Sequence, residues 1–590
     1  MCAAAPENFR ARGFDSHVEL RWNKSNDAGL TGYKIYWTQN AGSNWYLKKL
    51  VSKSDTAYID FVGVYGANLD LQYKITGITT AGETDPSATV DVSTKDMSDD
   101  ELSNMVEEYT FRYFWDFAHP VSGLARERNT SEDIVTIGGS GFGLMAIVCG
   151  MQRNFISRQE GIERLQKIAG FLATADRFHG AWPHWMNGVT GKVIPFSPMD
   201  NGGDLVETAF MVEGILTVRQ YLNTSNPQEL ALYNQLTQLW ESVEWSWYRK
   251  PSTNSLYWHW SPNFGWAMNF PIKGFNECMI AYILAVASPT HPVTPGLYVN
   301  GWVGSGYKNN KTFYGTKLSV GPDYGGPLFF AHYSYIGLDL RDLKDSYANY
   351  FQRNTAHTLI NRAYCIDNPK NFTGYSAECW GLTASDNPFG YSAQSPTNDN
   401  GTITPTAALS SMPYTPTYSL DALKFFYRQL GPEIWGFMGF SDAFNLEENW
   451  FADSYLAIDQ GPIIDMIENH RSGLLWSLFM SNPEINPALS ALGFVADPAS
   501  IDFTDKPAFE WNVSSSNQTI NIEIPEKAYD SDMQIMLINQ EGKTVHNAWP
   551  LQAAKDKISL TGALPNGIYV VLLMEDSVPL GAKSVYLFSH

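Results

Sequence analysis

The chemistry in this sequence gathers between residues 178 and 210, FHGAWPHWMNGVTGKVIPFSPMDNGGDLVETAF, where Asp200, Asp204 and Glu207 follow His179, Trp182, His184, Trp185 and Phe196. Asn-Gly-Gly-Asp at 201–204 punctuates a loop from a helix. Asp204 then falls near the first helical turn, where a carboxylate suits the helix dipole. Asp204 and Glu207, three apart, share one helix face. A sugar ring offers an apolar C–H face ringed by hydroxyls, so flat indoles and carboxylates together make a carbohydrate cleft. Two carboxyl groups across such a cleft suffice to break a glycosidic bond. The competing reading is structural, with Trp182 and Trp185 as core and Glu207 as a cap or ion-pair partner. A long loop so rich in rigid aromatic surface favours function over disorder.

The elements that position these residues are legible from composition and period. The chain has 590 residues, 14 % aromatic and 17 % charged, with 19 Trp, so it is globular with a large core. A net charge of −21 argues against a nucleic-acid partner and repels anionic polymers, so a neutral one fits better. No run of 18 apolar residues spans a membrane. Five cysteines, at 2, 149, 278, 365 and 379, form no CxxC pattern. Cys149 and Cys278 read as buried thiols, and Cys365 with Cys379 as the one pair open to a disulfide. Cys2 followed by Ala-Ala-Ala-Pro looks like a bacterial lipoprotein cysteine after signal-peptide trimming. The expectation is therefore an exported monomer, periplasmic or on the outer surface, lipid-anchored through Cys2.

Residues 1–96 alternate apolar and polar in short runs such as VELRW, GYKIYW and LQYKITGIT, the pattern of a small β-sandwich. With Trp22, Tyr33 and Tyr73 in place, the segment resembles a fibronectin type III domain, which reads as a detachable spacer. At Ser98 the period changes. Ser98 with Glu101 and Ser157 with Glu160 form capping boxes, and Asn226-Pro227 opens another helix. Helical runs continue through 139–153, 204–222, 272–286, 341–362, 416–429, 455–469 and 471–480. Between them lie Gly/Pro/aromatic loops. Residues 97–495 thus read as paired helices with loops collected at one side, an α/α barrel. Residues 496–590 return to β as a small C-terminal sandwich, whose LPNGIYVV run resembles accessory sandwiches of secreted Bacteroidetes proteins.

Long blocks in the helical region, among them YFWDFAHPVSGLARER (113–128), ADRFHGAWPHWMNG (175–188), DNGGDLVETAF (200–210) and DYGGPLFFAHYSY (323–335), closely resemble the glycoamylase-like catalytic domain of glycoside hydrolase family 144. The resemblance implies an (α/α)6 toroid, hydrolysis of β-1,2-glucan with inversion, and no organic cofactor; the two β-sandwiches that flank the toroid are not part of the family's catalytic pattern. Inversion needs a protonated acid at the leaving oxygen and a carboxylate that activates water. Glu207 is the expected acid, its pKa raised by burial and by Asp204. Asp399 ranks first as base, Asp459 next, and Glu127, Asp133 and Asp386 remain open. Trp182, Trp185, Trp258, Trp260 and Trp266 are candidate stacking platforms. Arg126, Glu127, His184, His259 and Tyr391 are candidate contacts to sugar hydroxyls. Without HExxH or a His pair at i, i+4, no metal site is expected. GGSGFG at 138–143 lacks the context of a phosphate loop and reads as close helix packing. Two readings compete with β-1,2-glucan hydrolysis: an α-glucan exo-hydrolase, and a surface glycan-binding protein that has lost its chemistry.

Overall fold

The computed structural model describes residues 5–497 except 28, 40, 41 and 43, together with 512–516, 519–526, 533–538, 544–553, 555–559, 567–575 and 578–587. Cys2 and residues 564–566 of the LPNGIYVV run lie outside the described residues.

The N-terminal strands are β1 (Arg10–Gly13), β2 (His17–Arg21), β3 (Leu30–Thr38), β4 (Tyr46–Ser52), β5 (Ala57–Phe61), β6 (Asp70–Thr79), β7 (Gly82–Glu83) and β8 (Val90–Ser93). They form one sheet in the order β1-β2-β5 and a second in the order β4-β3-β6-β7, with β8 also on β6. Alternate residues from both sheets, including Val18, Leu20, Trp22, Tyr33, Ile35, Tyr73 and Ile75, meet in a common core. The expected spacer is not a free module. Phe14 is part of the same buried cluster as Leu102, Tyr109, Trp380 and Tyr427, and Ile59 and Phe61 pack against it. His17 is fully buried, with Nδ1 2.7 Å from the Tyr427 hydroxyl and Nε2 2.9 Å from that of Tyr109.

The helical region runs through α1 (Asp99–Trp115), β9 (Ile134–Thr136), α2 (Ile137–Gln152), α3 (Arg158–Thr174), β10 (Trp185–Asn187), β11 (Val193–Ile194), β12 (Gly203–Asp204), α4 (Leu205–Tyr221), α5 (Pro227–Glu241), β13 (His259–Trp260), α6 (Met279–Ala287) and α7 (Tyr350–Asp367). It closes with α8 (Pro405–Leu409), α9 (Pro416–Ile434), α10 (Ala457–Ser472), α11 (Leu474–Met480) and α12 (Ile485–Ala491). Both predicted capping boxes are present, at Ser98 and Ser157. The helices divide by burial. α2, α4, α6 and α10 bury residues around most of their circumference, so they are inner helices. α3 buries one stripe, Ile162, Leu165, Ile168 and Leu172, and so lies outside with one face inward. α2 packs on α4, and α10 packs on both α1 and α2. The Gly-rich start of α2 serves that packing: a Cβ on Gly141 would lie 2.3 Å from the Phe210 carbonyl, and one on Gly214 2.2 Å from the Gly141 carbonyl.

Two expectations are corrected here. Cys365 and Cys379 are free buried thiols in an apolar cluster. The helix expected over 272–286 begins only at Met279, because Ile272 is held by the Leu256 carbonyl in the preceding loop. Glu277 is therefore left at the helix mouth.

Residues 341–344 and 495–590 form a separate compact unit. Its strands pair in the orders Asn512–Ser516, Thr519–Glu523, Lys555–Ser559 and Thr544–Pro550, Met533–Ile538, Gly567–Glu575, Val578–Leu587. Ile520, Ile522, Ile535, Leu537, Val571 and Leu573 fill its core.

Candidate active site

Asp204 is the keystone of one wall. It caps α4: Oδ1 accepts the Val206 and Glu207 N–H groups, both at 2.9 Å. Oδ2 accepts His184 Nδ1–H and Trp258 Nε1–H, both at 3.0 Å. Fully buried with four donors on it, this carboxylate positions its neighbours and has no free lone pair for chemistry. His184 feels opposing forces. Burial favours its neutral form, but the charges of Glu207 and Asp204 win and push it up to about 9, so it stands as imidazolium at neutral pH.

Glu207, in the first turn of α4, reaches across to α2. Its Oε2 accepts the Gly138 N–H at 2.7 Å and the Thr136 hydroxyl at 3.4 Å. Thr136 provides no side-chain cap for α2, and Glu207 takes over that function. Burial raises its pKa; Asp204 adds to the rise while His184 and the Gly138 N–H oppose it. Asp200, buried nearby, is pushed up to about 7 by burial and then by Asp204. Its Oδ1 lies 3.2 Å from His259 Nε2. That nitrogen accepts the Gly202 N–H at 3.0 Å and so carries no proton to share. Burial keeps His259 neutral and leaves Asp200 Oδ1 without a donor.

Two acids the sequence reading missed are Asp442 and Glu277. Glu277 is partly buried, and its Oε2 is sealed with no hydrogen-bond partner. Burial pushes its pKa up to about 7, and the charges of Glu207 and Asp204 add to the rise. It went unnoticed because NECMIAYILAVA reads as the start of a continuous apolar helix. The available signal was an acid immediately before a helix whose N-cap, Cys278, offers no cap of its own.

A second acidic group stands on the loops before α10. Arg128 binds Asp386 through Nη1 at 3.1–3.2 Å and Glu127 through Nε at 2.9 Å. The Asp386 N–H donates to Asp442 Oδ2 at 2.7 Å. Asp459, in the first turn of α10, is buried against Asp442. As two bare carboxylates, Asp459 and the Asp442 Oδ1 would have no donor at all. They lie within hydrogen-bond reach of each other, and the charge of Asp442 adds to the rise of Asp459, so the two titrate as a pair. Burial pushes Asp442 up to about 7 and Asp459 well above the carboxylate range. Tyr391, half exposed, lies in the field of Asp459, Asp442 and Asp386.

Tyr333 connects the two groups. Its ring sits among Phe142, Phe210 and Phe329. Burial holds its hydroxyl protonated, and the charges of Asp459 and Tyr391, of Glu277 and of Glu207 all act on it.

The remaining expected residues divide. Trp185 meets the exposed Phe196 edge-on at 4.8 Å, and Trp258 stacks on the exposed Phe270 at 5.1 Å, so both line open aromatic surface. Trp182 does not: it is fully buried under Arg177, with its indole N–H on the Leu172 carbonyl. Trp266 lies against Tyr248 and Tyr257, and Trp260 against His179 and Trp247. Arg126 is spent on the carbonyls of Glu132 and Phe117. Asp133 is exposed beside His119. Asp399, expected first as base, closes a turn onto the Gly401 N–H and accepts the hydroxyls of Tyr364 and Tyr375, so both its oxygens are engaged within the fold. Among the described residues no three His, Cys, Asp or Glu side chains converge as a metal centre.

Residues 269–483 match the Glycoamylase family model, whose description names a glucoamylase. The chain is 43 % identical over 512 residues to an exo β-1,2-glucooligosaccharide sophorohydrolase (non-reducing end) of Parabacteroides distasonis, covering 83 % of this chain and 71 % of the relative. A crystal structure of a β-1,2-glucanase from Parabacteroides distasonis matches with 42 % identity and a TM-score of 0.76, over 84 % of this chain and 74 % of that one. An endo-β-1,2-glucanase from Chitinophaga pinensis, solved with sophorotriose and glucose, matches with 55 % identity and a TM-score of 0.66, over 68 % and 99 % of the two chains. The helical domain with its acid-lined wall and the extent of these likenesses lead to one conclusion: the chain belongs to glycoside hydrolase family 144.

Proposed function

We propose that this protein hydrolyses β-1,2-glucan, or oligosaccharides cut from it, with inversion at the anomeric carbon. Family membership supports the reaction, and the names of the β-1,2-glucan relatives, rather than the glucoamylase description, support the linkage. The observation that carries the mechanism is Glu277. A sealed, unpaired carboxyl oxygen with a pKa near 7 suits proton delivery to a leaving glycosidic oxygen. The Asp442–Asp459 pair, carrying one shared proton and one negative charge, supplies the base that draws a proton from water. An inverting site keeps acid and base about 6.5–9.5 Å apart to admit that water. Glu207 and Asp204 hold His184 as a cation beside the acid, where it donates to a sugar hydroxyl. Trp185 and Trp258 offer stacking surface.

In the same proposal the inner and outer helices close as an (α/α)6 toroid, residues 97–495 form the catalytic domain between sandwiches 1–96 and 496–590, and the enzyme works as an exported monomer. Proton NMR of the first products tests the chemistry. A newly formed reducing end that appears first as the α-anomer is expected; a β-anomer appearing first would replace inversion by retention. A product profile on long glucan then separates internal cleavage from release of disaccharide at an end.

A further inference from the structure

The ribbon that carries Asp204 has a second face. Successive side chains of a strand point to opposite sides, and the register of β12 with β13 pairs Asp204 with His259 and Gly203 with Trp260. Asp204 and His259 look into the acid wall, so Gly203 and Trp260 look away from it. The surroundings of Gly203 agree: a Cβ there would lie 2.0 Å from the Tyr248 hydroxyl and 3.1 Å from the Phe178 carbonyl. On that far face Trp260 meets His179 edge-on at 4.8 Å and Trp247 edge-on at 5.7 Å.

His179 lies flat on Trp247, with ring centroids 3.6 Å apart and planes 14° from parallel. Its backbone is left-handed, with φ of 50°, and it precedes Gly180 at φ of 77°. Such a conformation is costly for a residue with a Cβ and persists where its surroundings hold it. Here Glu244 fixes His179 Nδ1 at 2.9 Å. One face of Trp247 is thus backed by a clamped imidazole, while the residue remains 41 % exposed. The Glu244 side chain beside it is 40 % exposed. A rigid indole with a carboxylate at its rim matches the apolar face and hydroxyl edge of a pyranose ring.

We propose that Trp247, backed by His179 and flanked by Trp260 and Glu244, is a second carbohydrate platform outside the cleft, binding a remote run of the same neutral glucan chain. This rests on the glucan reading above. Two observations choose that occupant. The platform and the acid wall are carried on opposite faces of one two-stranded ribbon, so a single long chain is the occupant that could engage both. The net charge of −21 disfavours an anionic chain.

The test compares wild type, Trp247→Ala and Trp247→Phe on long β-1,2-glucan and on a short β-1,2-oligosaccharide, alongside retardation in native gels containing the long glucan. For Trp247→Ala we expect KM on the long chain to rise about tenfold, as for loss of one aromatic stacking contact. Retardation should be lost, constants on the short substrate should not change, and Trp247→Phe should recover most of the binding. Unchanged retardation and KM would overturn the proposal. An equal rise on both substrates would also overturn it by placing Trp247 in the cleft, as would a change confined to self-association in sedimentation. If the wild type ignores β-1,2-glucan but another neutral glucan retards it, and Trp247→Ala abolishes that retardation, the linkage reading fails while the platform stands.

Discussion

Glu207 Oε2 accepts the backbone N–H of Gly138 at 2.7 Å, so a carboxylate in the first turn of one inner helix caps the next. A Cβ on Gly138 would come within 2.6 Å of that oxygen, and the contact therefore needs glycine. Glutamine at 207 keeps an acceptor for the N–H but removes the charge beside His184. Glu207→Gln should fold normally, shift His184 toward its neutral form, and lose about tenfold in turnover. Thermal unfolding and kinetics on β-1,2-glucan check this. A loss as large as 10²–10⁴-fold, the range of general acid catalysis, would return the acid role to Glu207.

The pH dependence follows from two groups near 7. Glu277, pushed up to about 7, must be protonated to act as acid, so turnover falls as pH rises through that value. The Asp442–Asp459 pair must carry a negative charge to act as base, and Asp442 is also pushed up to about 7, so turnover falls as pH drops below it. The profile should be a narrow bell with its maximum near neutrality. A broad plateau from pH 4 to 6 would contradict both assignments.

Trp182 and Trp258 should separate cleanly. Trp182→Ala removes a fully buried indole and should cost about 3–5 kcal/mol of stability. Trp258→Phe keeps the stack on Phe270 but removes the N–H on Asp204, so it should lower activity with little change in unfolding. Denaturant titration and kinetics on the two variants report the difference.

Removing residues 1–96 should not release an intact helical domain. The cut takes away His17 from between Tyr109 and Tyr427, and Asp15 from Arg428, which it binds at 2.7 Å. It also strips Phe14 and Phe61 from the cluster around Trp435. The shortened protein is expected to aggregate or to melt well below the full chain. An equal melting temperature would show that the sandwich is a spacer after all.

The sequence exposed what is local. The capping boxes at Ser98 and Ser157, the alternation in β2, β3 and β6, and the start of a helix at Asp204 are short-range patterns, and all are present, although Asp204 is the extended N-cap of α4 and does not share a helix face with Glu207. The non-local contacts stayed hidden. Asp399 read as a base because a polar loop resembles a barrel mouth, yet Tyr364 and Tyr375, 35 and 24 residues earlier, claim its oxygens. Trp182 read as a platform because periodicity says nothing about whether a loop indole points in or out. Glu277 was masked by the apolar run that follows it. Its role depends on Glu207 and Asp204, which only the fold brings near.

The most direct test is turnover of β-1,2-glucan by the wild type and by Glu277→Gln, with binding of the same glucan measured in parallel. The account predicts cleavage by the wild type, a loss of about 10²–10⁴-fold in the variant, and nearly unchanged glucan affinity. Full turnover by Glu277→Gln would remove Glu277 from the chemistry, and binding without turnover by the wild type would remove hydrolysis altogether.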